Sequence, residues 1–338
     1  MSTPPSVARK SRGRRILLLG GLLAAGAAAG IAYRQLTGAS QDDQGEEDDG
    51  RALGWGEGMV RPDHRVVSTP DGAALAVWDL AGAHAGAPVV VLPHCWGCSH
   101  EIWLPVARRL RAQGYRVVLY DQRGHGLSTR GSAPLAIETL AHDLEAVLEA
   151  TDVRDIVLAG HSMGGMSVMS LATYRPEVLR ARAKAAVLVA TSATTIRTGV
   201  GSPEFASALF ASPIVTRALL TKNGHLLVRS VFGTRPVRAH MELTRDTFAA
   251  CDGSVRGDYA ASMAVMNLLE GIAQMELPTT VMVGTRDTLT VPKKADQVVS
   301  TIPGSRLVRL KGRGHMLPLE DPGAVTDEIV RAVRGQAS

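Results

Sequence analysis

Cysteine and long apolar runs are scarce in this chain of 338 residues. It contains three cysteines, too few for a disulfide framework to replace a hydrophobic core. One strongly apolar run, residues 16–33, has the length of a membrane span, which excludes a multi-span membrane protein. With 45% apolar and 20% charged residues, the chain is also neither disordered nor collagen-like. Its length suits one large domain or two small ones.

A strong surplus of one charge sign is also missing from most of the chain, although the net charge is +5. Residues 1–40 carry six bases and no acid, and residues 41–50 carry six acids and no base, so these two segments cancel. The remaining charge is spread over residues 51–338, which makes a weak field rather than a basic patch. We therefore expect no nucleic-acid partner.

The apolar run at residues 16–33 predicts a segment that enters a membrane. As a helix it would be about 27 Å long, close to the roughly 30 Å of a bilayer core. Five bases precede it and acids follow within ten residues, so the positive-inside rule keeps the N-terminus in the cytoplasm. We interpret residues 1–36 as a membrane anchor, or alternatively as a cleaved export signal, because residues 27–29 are three alanines. The remainder of the chain would then lie outside the cytoplasm.

The segment that follows, residues 37–58, is acidic, rich in glycine and poor in apolar side chains. Such a segment cannot bury enough surface to order itself, so we interpret it as a flexible linker. The folded domain is then predicted to span residues 59–335.

From residue 64 onward, short apolar runs alternate with helical patterns. A hairpin is predicted within residues 65–80, and helices at 102–113 and 136–151 have apolar residues three or four apart. The predicted buried strands are residues 88–93, 116–121, 155–160, 185–191, 279–284 and 306–310. This alternation predicts an α/β fold with a mostly parallel central sheet and helices on both faces. The interval without strands predicts an inserted helical cap at about residues 192–271, with apolar helical stretches at 205–220 and 225–232.

The sequence Gly160-His161-Ser162-Met163-Gly164 follows a predicted strand and opens a predicted helix. In that setting a G-x-S-x-G motif makes a sharp turn that exposes the serine at the top of the sheet. A serine becomes a useful nucleophile when a base lies within hydrogen-bond reach and a carboxylate orients that base. Ser162 is therefore the candidate nucleophile, and His161 is expected to point elsewhere on the turn.

His315 and Asp287 are the candidate base and acid. Asp287 follows the strand 279–284, and His315 lies in a glycine-rich loop after the last strand. Both would project from the carboxyl edge of the sheet, and the order Ser, Asp, His is the one that this architecture uses. No acid follows the strand that ends at Thr191, so the other common acid position is empty. The rival acids, which fall in or before helices, are Asp296, Glu320 and Asp321.

An oxyanion hole needs two backbone N–H groups near the developing negative charge. Met163, which follows the nucleophile, would supply one, and Trp96, in the loop after the strand 88–93, would supply the other. His94 and His125 lie on loops of the same edge and are expected to make structural hydrogen bonds. This chemistry requires no cofactor and no metal.

Cys95 and Cys98 form a C-x-x-C pair beside the predicted oxyanion donor. A redox motif is disfavoured because the setting is not thioredoxin-like, and a zinc site with His94 and His100 is too compressed for four tetrahedral ligands. We interpret the pair as two small buried residues. The alternative hypothesis is a disulfide that stiffens the oxyanion loop, which an exported protein could retain.

Taken together, these motifs resemble those of the α/β-hydrolases with a serine nucleophile, the fold-one esterases, lipases and haloperoxidase-like enzymes. The resemblance spans about residues 64–335, and Cys95 stands where the family usually has glycine. Five ordered segments carry it: HCWG at 94–97, YDQRGHGLS at 120–128, GHSMG at 160–164, GTRD at 284–287, and GHM at 314–316 with LE at 319–320. It implies the α/β-hydrolase fold and a triad of Ser162, Asp287 and His315.

The predicted function is hydrolysis of a small-molecule carboxylic ester, acyl or lipid-like, through a covalent acyl-enzyme. Serine at the elbow argues against the epoxide hydrolases and haloalkane dehalogenases of this fold, which use aspartate there. Alternatives with the same triad are cofactor-free haloperoxidase or perhydrolase activity, and cleavage of a carbon–carbon bond next to a ketone. A non-catalytic binding protein on the same scaffold is a further alternative. The apolar residues of the predicted cap indicate either an acyl or aromatic substrate, or packing against the sheet.

Overall fold

One eight-stranded sheet organises the part of the chain that the structure describes. The structure is a computed structural model, and it describes Leu53, residues 62–196 and residues 202–336. The strand order is β1-β2-β4-β3-β5-β6-β7-β8. The strands are β1 Arg65–Ser68, β2 Ala74–Leu80, β3 Val89–Pro93, β4 Arg116–Tyr120, β5 Ile156–His161, β6 Ala183–Val189, β7 Thr279–Gly284 and β8 Arg306–Leu310.

The sheet is mostly parallel, which confirms the predicted fold class. Strand β2 runs antiparallel to both β1 and β4, and the other neighbouring pairs are parallel. Inner parallel strands such as β3 and β5 are mostly apolar and fully buried because both faces of the sheet are covered, whereas the edge strand β8 contains two arginines and is largely half-buried. In β3, Val91 packs into the core on one face, whereas Val90 and Leu92 pack into the core on the other. The predicted strands differ from the observed ones by at most two residues at either end.

Helices cover both faces of the sheet. Outside the connection between β6 and β7 they are α1 Leu104–Ala112, α2 Thr139–Ala150, α3 Met163–Tyr174, α4 Pro176–Arg182, α10 Pro292–Thr301, α11 Leu317–Glu320 and α12 Pro322–Val333. Apolar residues of α2, α3 and α10 share one core, and those of α1 and α12 share the other. A short 3₁₀ helix, His100–Trp103, leads into α1.

The connection between β6 and β7 carries its own set of helices, which we name the cap. They are α5 Pro203–Ala211, α6 Pro213–Leu219, a 3₁₀ helix Gly224–Val231, α7 Arg238–Ala250, α8 Gly253–Val265 and α9 Leu269–Ile272. The sequence predicted one continuous helical stretch at 205–220, and this is wrong. Ser212 is extended and caps α6, accepting the Ile214 N–H at 3.2 Å, while Pro213 occupies the first turn of α6.

The predicted membrane anchor or signal at residues 1–36 lies outside the described residues. So does the predicted linker at 37–58, apart from Leu53, which is half-buried and packs against the core shared by α1 and α12. Across residues 62–196 and 202–336, no helix is long and apolar enough to span a bilayer.

Candidate active site

Ser162 lies on a strained turn between β5 and α3. Its backbone has φ 53° and ψ −114°, an unfavourable conformation for a residue with a side chain. The turn needs glycine at its flanks, because a Cβ on Gly164 would lie 2.1 Å from the Pro93 carbonyl oxygen. The Ser162 N–H donates to the Val189 carbonyl at 2.9 Å, and the Thr191 hydroxyl donates to the Ser162 carbonyl at 2.7 Å. The end of strand β6 and the residues just after it therefore hold the turn in place.

His315 and Asp287 are brought together at the carboxyl edge of the sheet, although 28 positions separate them in the chain. The His315 Nδ1–H donates to Asp287 Oδ2 at 2.9 Å. Asp287 also accepts the Thr290 hydroxyl at 2.7 Å and the Leu289 N–H at 2.8 Å. Burial raises the pKa of Asp287, but the neighbouring His315 and these hydrogen bonds outweigh it and hold the pKa below its ordinary value. An ionised Asp287 fixes the tautomer of His315 and leaves Nε2 to face a reacting group.

His161 connects the nucleophile turn to the histidine loop. Its Nε2–H donates to the His315 carbonyl at 2.8 Å, and the two rings lie 5.1 Å apart. Within the described residues, no hydrogen bond joins Ser162 to His315. Such bonds are often long in enzymes without substrate and tighten only in the reacting complex. The structure therefore places His315 beside the residue that precedes Ser162.

Met163 and Trp96, the predicted oxyanion donors, lie on adjoining segments. Met163 is the first residue of α3, where backbone N–H groups lack an intrahelical acceptor. In the part of the chain that the structure describes, neither the Met163 nor the Trp96 N–H donates a hydrogen bond. The start of α3 packs directly on the loop that carries Trp96, since a Cβ on Gly164 would also lie 2.9 Å from the His94 carbonyl oxygen.

Two buried histidines hold the loop at residues 94–98, which we name the oxyanion loop. The Gly97 N–H donates to His125 Nε2 at 2.9 Å, and the Gln122 N–H donates to His94 Nε2 at 2.9 Å. Each ring donates its Nδ1–H to a backbone carbonyl, so each must be neutral. Burial lowers the pKa of His94 to about 3 and that of His125 to about 4. These are the structural hydrogen bonds that the sequence predicted for the two rings.

Cys95 fits the oxyanion loop without a left-handed backbone. The left-handed residue is Gly97, with φ 71°, and a Cβ there would lie 2.2 Å from the Phe248 ring. Cys95 and Cys98 are both buried, which agrees with the interpretation as small buried residues, and their thiols are free in the structure. Burial raises the pKa of the Cys95 thiol, and a hydrogen bond from Cys95 lowers the pKa of Cys98.

The rival acids do not contact the imidazole of His315. Asp296 pairs with Arg309, and Asp321 pairs with Arg313 at 3.0 Å. Half-buried Glu320 instead accepts backbone N–H groups on both sides of His315 and one from the cap, those of Gly314, Met316 and Gly233. Burial raises the pKa of Glu320, and these hydrogen bonds oppose the increase. Glu320 therefore shapes the histidine loop rather than orienting the imidazole.

Sequence reasoning missed Gln122 and Glu320 as residues that shape the site. The Gln122 side chain donates to the His94 carbonyl and accepts the Ser167 hydroxyl of α3 at 2.5 Å, so it joins the oxyanion loop to the nucleophile helix. Both residues lie inside the segments that carry the family resemblance, at 120–128 and 319–320. Their location inside these segments is the sequence signal that could have identified Gln122 and Glu320.

The cap contacts both the oxyanion loop and the histidine loop. The Trp96 ring meets Phe210 of α5 and Phe248 of α7 edge-on, with centroids 4.8 and 5.1 Å away. The His315 N–H donates to the Val231 carbonyl of the cap at 2.7 Å. Ser162 and His315 are both buried, at 5% and 3% exposure. The cap therefore covers the site.

The apolar residues of the cap divide between two environments. Leu219 and Phe232 are buried, and Leu209, Phe210 and Val215 are half-buried. The exposed ones are Phe205, Ile214, Leu220, Leu226 and Leu227. Packing against the sheet therefore explains only part of the apolar pattern. Within the described residues, no group of three or more His, Cys, Asp or Glu side chains could hold a metal ion.

The family model described as "Alpha/beta hydrolase family" matches residues 89–328, well over half of the chain. Together with the sheet order and the strained serine turn, this match shows that the chain belongs to the α/β-hydrolase family.

Three relatives illustrate what the chain is similar to. A non-heme chloroperoxidase of Streptomyces lividans is 38% identical over 37% of this chain, but the match spans only 43% of that protein. The non-heme chloroperoxidase CPO-A1 of Kitasatospora aureofaciens is 28% identical over 74% of this chain and 91% of its own length. The crystal structure of a Burkholderia cenocepacia protein assigned as an aryl esterase superposes with a TM-score of 0.65, at 26% identity, over 81% of this chain and 98% of that one.

Proposed function

We propose that the chain is a serine hydrolase that cleaves carboxylic esters through a covalent acyl-enzyme. The observation that carries the proposal is the hydrogen bond from His315 to buried Asp287, at the sheet edge where Ser162 occupies a strained turn. An oriented base beside a serine on a strained strand-to-helix turn is the arrangement that nucleophilic acyl transfer requires. The similarity to a protein assigned as an aryl esterase supports it.

In this mechanism the Ser162 oxygen attacks the ester carbonyl while His315 Nε2 takes the hydroxyl proton. Asp287 keeps His315 in the required tautomer and stabilises the charge that forms on the ring. The N–H groups of Met163 and Trp96 stabilise the oxyanion of the tetrahedral intermediate. His315 then returns the proton to the alcohol that leaves. Water attacks the acyl-enzyme by the same steps in reverse order, which releases the acid and restores Ser162.

The substrate is proposed to carry an apolar acyl or aromatic group. The rings of Trp96, Phe210 and Phe248 lie together beside the proposed oxyanion donor, and apolar side chains continue across the exposed surface of the cap. A polar substrate would leave its hydrogen-bonding groups unpaired in these surroundings, which costs binding free energy.

The test uses the full chain with p-nitrophenyl esters of increasing acyl length. Ser162→Ala should lower kcat by at least about a thousandfold, because the nucleophile is lost while binding is kept. The matched control is Ser300→Ala, the same chemical change at an exposed position of α10. Equal rates for wild type and Ser162→Ala would refute the mechanism. An absence of turnover in both would favour a binding protein on this scaffold.

Perhydrolysis is a second candidate, which the chloroperoxidase relatives favour. Hydrogen peroxide would replace water in attacking the acyl-enzyme, so that an ester and hydrogen peroxide give a peracid and an alcohol. The peracid would then oxidise a halide ion. Bromination of a dimedone probe in the presence of ester, peroxide and bromide would measure this activity. The candidate fails if bromination is the same for wild type and Ser162→Ala.

We also propose that residues 16–33 anchor the protein in a membrane, with the hydrolase domain on the extracytoplasmic side. The charges that flank the run support this orientation. The test is the N-terminal sequence of the mature protein, together with extraction of membranes at alkaline pH. An intact N-terminus in the extracted membranes is expected. A soluble protein that begins near residue 30 would instead establish the cleaved export signal.

A further inference from the structure

Trp96 links the oxyanion loop to three helices of the cap. Its ring contacts Phe210 of α5 and Phe248 of α7, and its Nε1–H donates to the Arg256 carbonyl of α8 at 3.2 Å. The next residue, Gly97, presses against the Phe248 ring as well. The backbone N–H of Trp96 is the proposed oxyanion donor. Its position therefore depends on contacts with residues 114 to 160 positions further along the chain.

Arg256 lies at the centre of these cap contacts. Its side chain is fully buried and donates to the Phe248 carbonyl at 2.6 Å, to the Phe210 carbonyl at 3.2 Å and to the Thr216 hydroxyl of α6 at 2.6 Å. Its guanidinium carbon lies 5.1 Å from the centre of the Phe248 ring. Among residues 62–196 and 202–336, no carboxylate lies within ion-pair distance of it. One guanidinium therefore connects α5, α6 and α7 to its own helix, α8.

An arginine suits this position because of what it contacts. The Phe210 and Phe248 carbonyls lie in the last turns of α5 and α7, where carbonyl groups lack intrahelical donors and carry the negative end of the helix dipole. A planar fork of five N–H donors reaches several acceptors at once, which a lysine ammonium does not. Helices α5 and α8 are in backbone contact, since a Cβ on Gly257 would lie 2.6 Å from the Ser207 carbonyl oxygen.

We propose that Arg256 is a positioning residue for the reaction. It holds α5 and α7 so that Phe210 and Phe248 enclose the Trp96 ring, and this keeps the Trp96 N–H directed at the oxyanion. The proposal rests on the proposed ester hydrolysis. Its consequence is that displacement of the cap removes an oxyanion donor, so the site is competent only when the cap is closed over it.

The first test compares the full chain with Arg256→Met on p-nitrophenyl acetate. We expect kcat to fall about 10- to 100-fold with KM changed less than about threefold, because loss of one oxyanion donor costs at most roughly a thousandfold. Arg256→Lys should recover part of the loss. The control is Arg130→Met, which removes an exposed arginine that also contacts α8, through Asp258. An unchanged kcat in folded Arg256→Met would overturn the proposal.

A double variant separates positioning from general destabilisation. Trp96→Ala removes the ring through which Arg256 acts, so adding Arg256→Met should lower kcat no further. Independent effects would instead multiply, and that result would overturn the proposal. If Arg256→Met does not fold, Phe248→Leu is tested in its place, because this change loosens the ring contact with Trp96 and keeps the Arg256 side chain. A several-fold lower kcat is expected there, and a wild-type kcat would overturn the proposal.

Near-ultraviolet circular dichroism detects the effect of Arg256 on the surroundings of the Trp96 ring, and it needs no substrate. The indole band that Trp96→Ala removes should be weakened in Arg256→Met and kept in Arg130→Met. A band that Arg256→Met leaves intact would overturn the coupling. If the wild type hydrolyses no ester while the band behaves as expected, the proposed function fails and the coupling of Trp96 to the cap stands.

Discussion

Lowering the pH from 7 to 5 should destabilise the fold through three buried histidines. Burial lowers the pKa of His94 and His161 to about 3 and that of His125 to about 4, from an ordinary value of 6.5. At pH 5 the unfolded chain therefore binds protons that the folded protein does not. The resulting stability is fully present above pH 6.5 and is lost as the pH falls toward the folded pKa values.

The magnitude follows from proton linkage. Each histidine contributes about 1.4 kcal/mol per pH unit once the unfolded form is protonated, so the change from pH 7 to pH 5 costs about 2 kcal/mol per ring. The three together cost about 6 kcal/mol, against a typical total of roughly 5–15. The surroundings of one nitrogen in each ring also favour the neutral form in the folded protein, in the same direction as burial. His94 and His125 accept backbone N–H groups, which a protonated ring does not do, and His161 Nδ1 has no partner in the described part of the chain.

The assay is urea unfolding at several pH values from 5 to 7.5. The free energy of unfolding should rise with pH, with a slope that approaches three protons, or about 4 kcal/mol per unit, between pH 5 and 6. His125→Gln should lower that slope by about one proton, and the control His84→Asn, at an exposed position, should not change it. A wild-type slope below one proton per molecule between pH 5 and 6 would show that the three rings do not control the pH dependence of stability.

Three further predictions concern the site. Gly164→Ala should lower the free energy of unfolding, measured by thermal unfolding, by roughly 1–3 kcal/mol, because its Cβ would overlap a backbone carbonyl. The same change should lower the rate of ester hydrolysis at least tenfold. A variant as active and stable as wild type would contradict the packing described. Glu320→Gln should lower the free energy of unfolding in urea by about 1.5–3 kcal/mol, because the carboxylate accepts three backbone N–H groups. The control Asp327→Asn, the same kind of change at an exposed position, should lower it little. Alkylation of the denatured, unreduced protein should label Cys95 and Cys98 fully. A protein that resists labelling at these cysteines and has a mass lower by two hydrogens would instead contain the disulfide.

The strands and the nucleophile turn could be predicted from sequence because their causes are local. Runs such as β3 and β7 are short, β-branched and apolar, which is typical of strands buried on both faces. The Ser162 turn depends on glycines within a few positions of it, whose side chains would collide with the turn or its nearest neighbours. A pattern of this kind is complete within about ten residues, so one sequence is enough to recognise it.

The cap was predicted less accurately, because its helices are short and broken by local capping. The change from α5 to α6 depends on the hydroxyl of Ser212 and the ring of Pro213 rather than on apolar spacing. Arg256 has no sequence signal of this kind. Its acceptors are carbonyls at the ends of other helices, and their availability is known only once those helices have packed.

Local sequence patterns were enough to predict the order of strands and helices, the serine turn, and the short set of acids and histidines at one sheet edge. The folded structure was needed to show that Asp287 contacts the imidazole of His315, while Glu320 contacts backbone on either side of it. It was also needed to show that the Trp96 ring N–H donates to a carbonyl 160 positions away. Hydrogen bonds and ring contacts depend on distances of a few ångströms. The packing of sheet, loops and cap sets those distances, whereas sequence spacing does not.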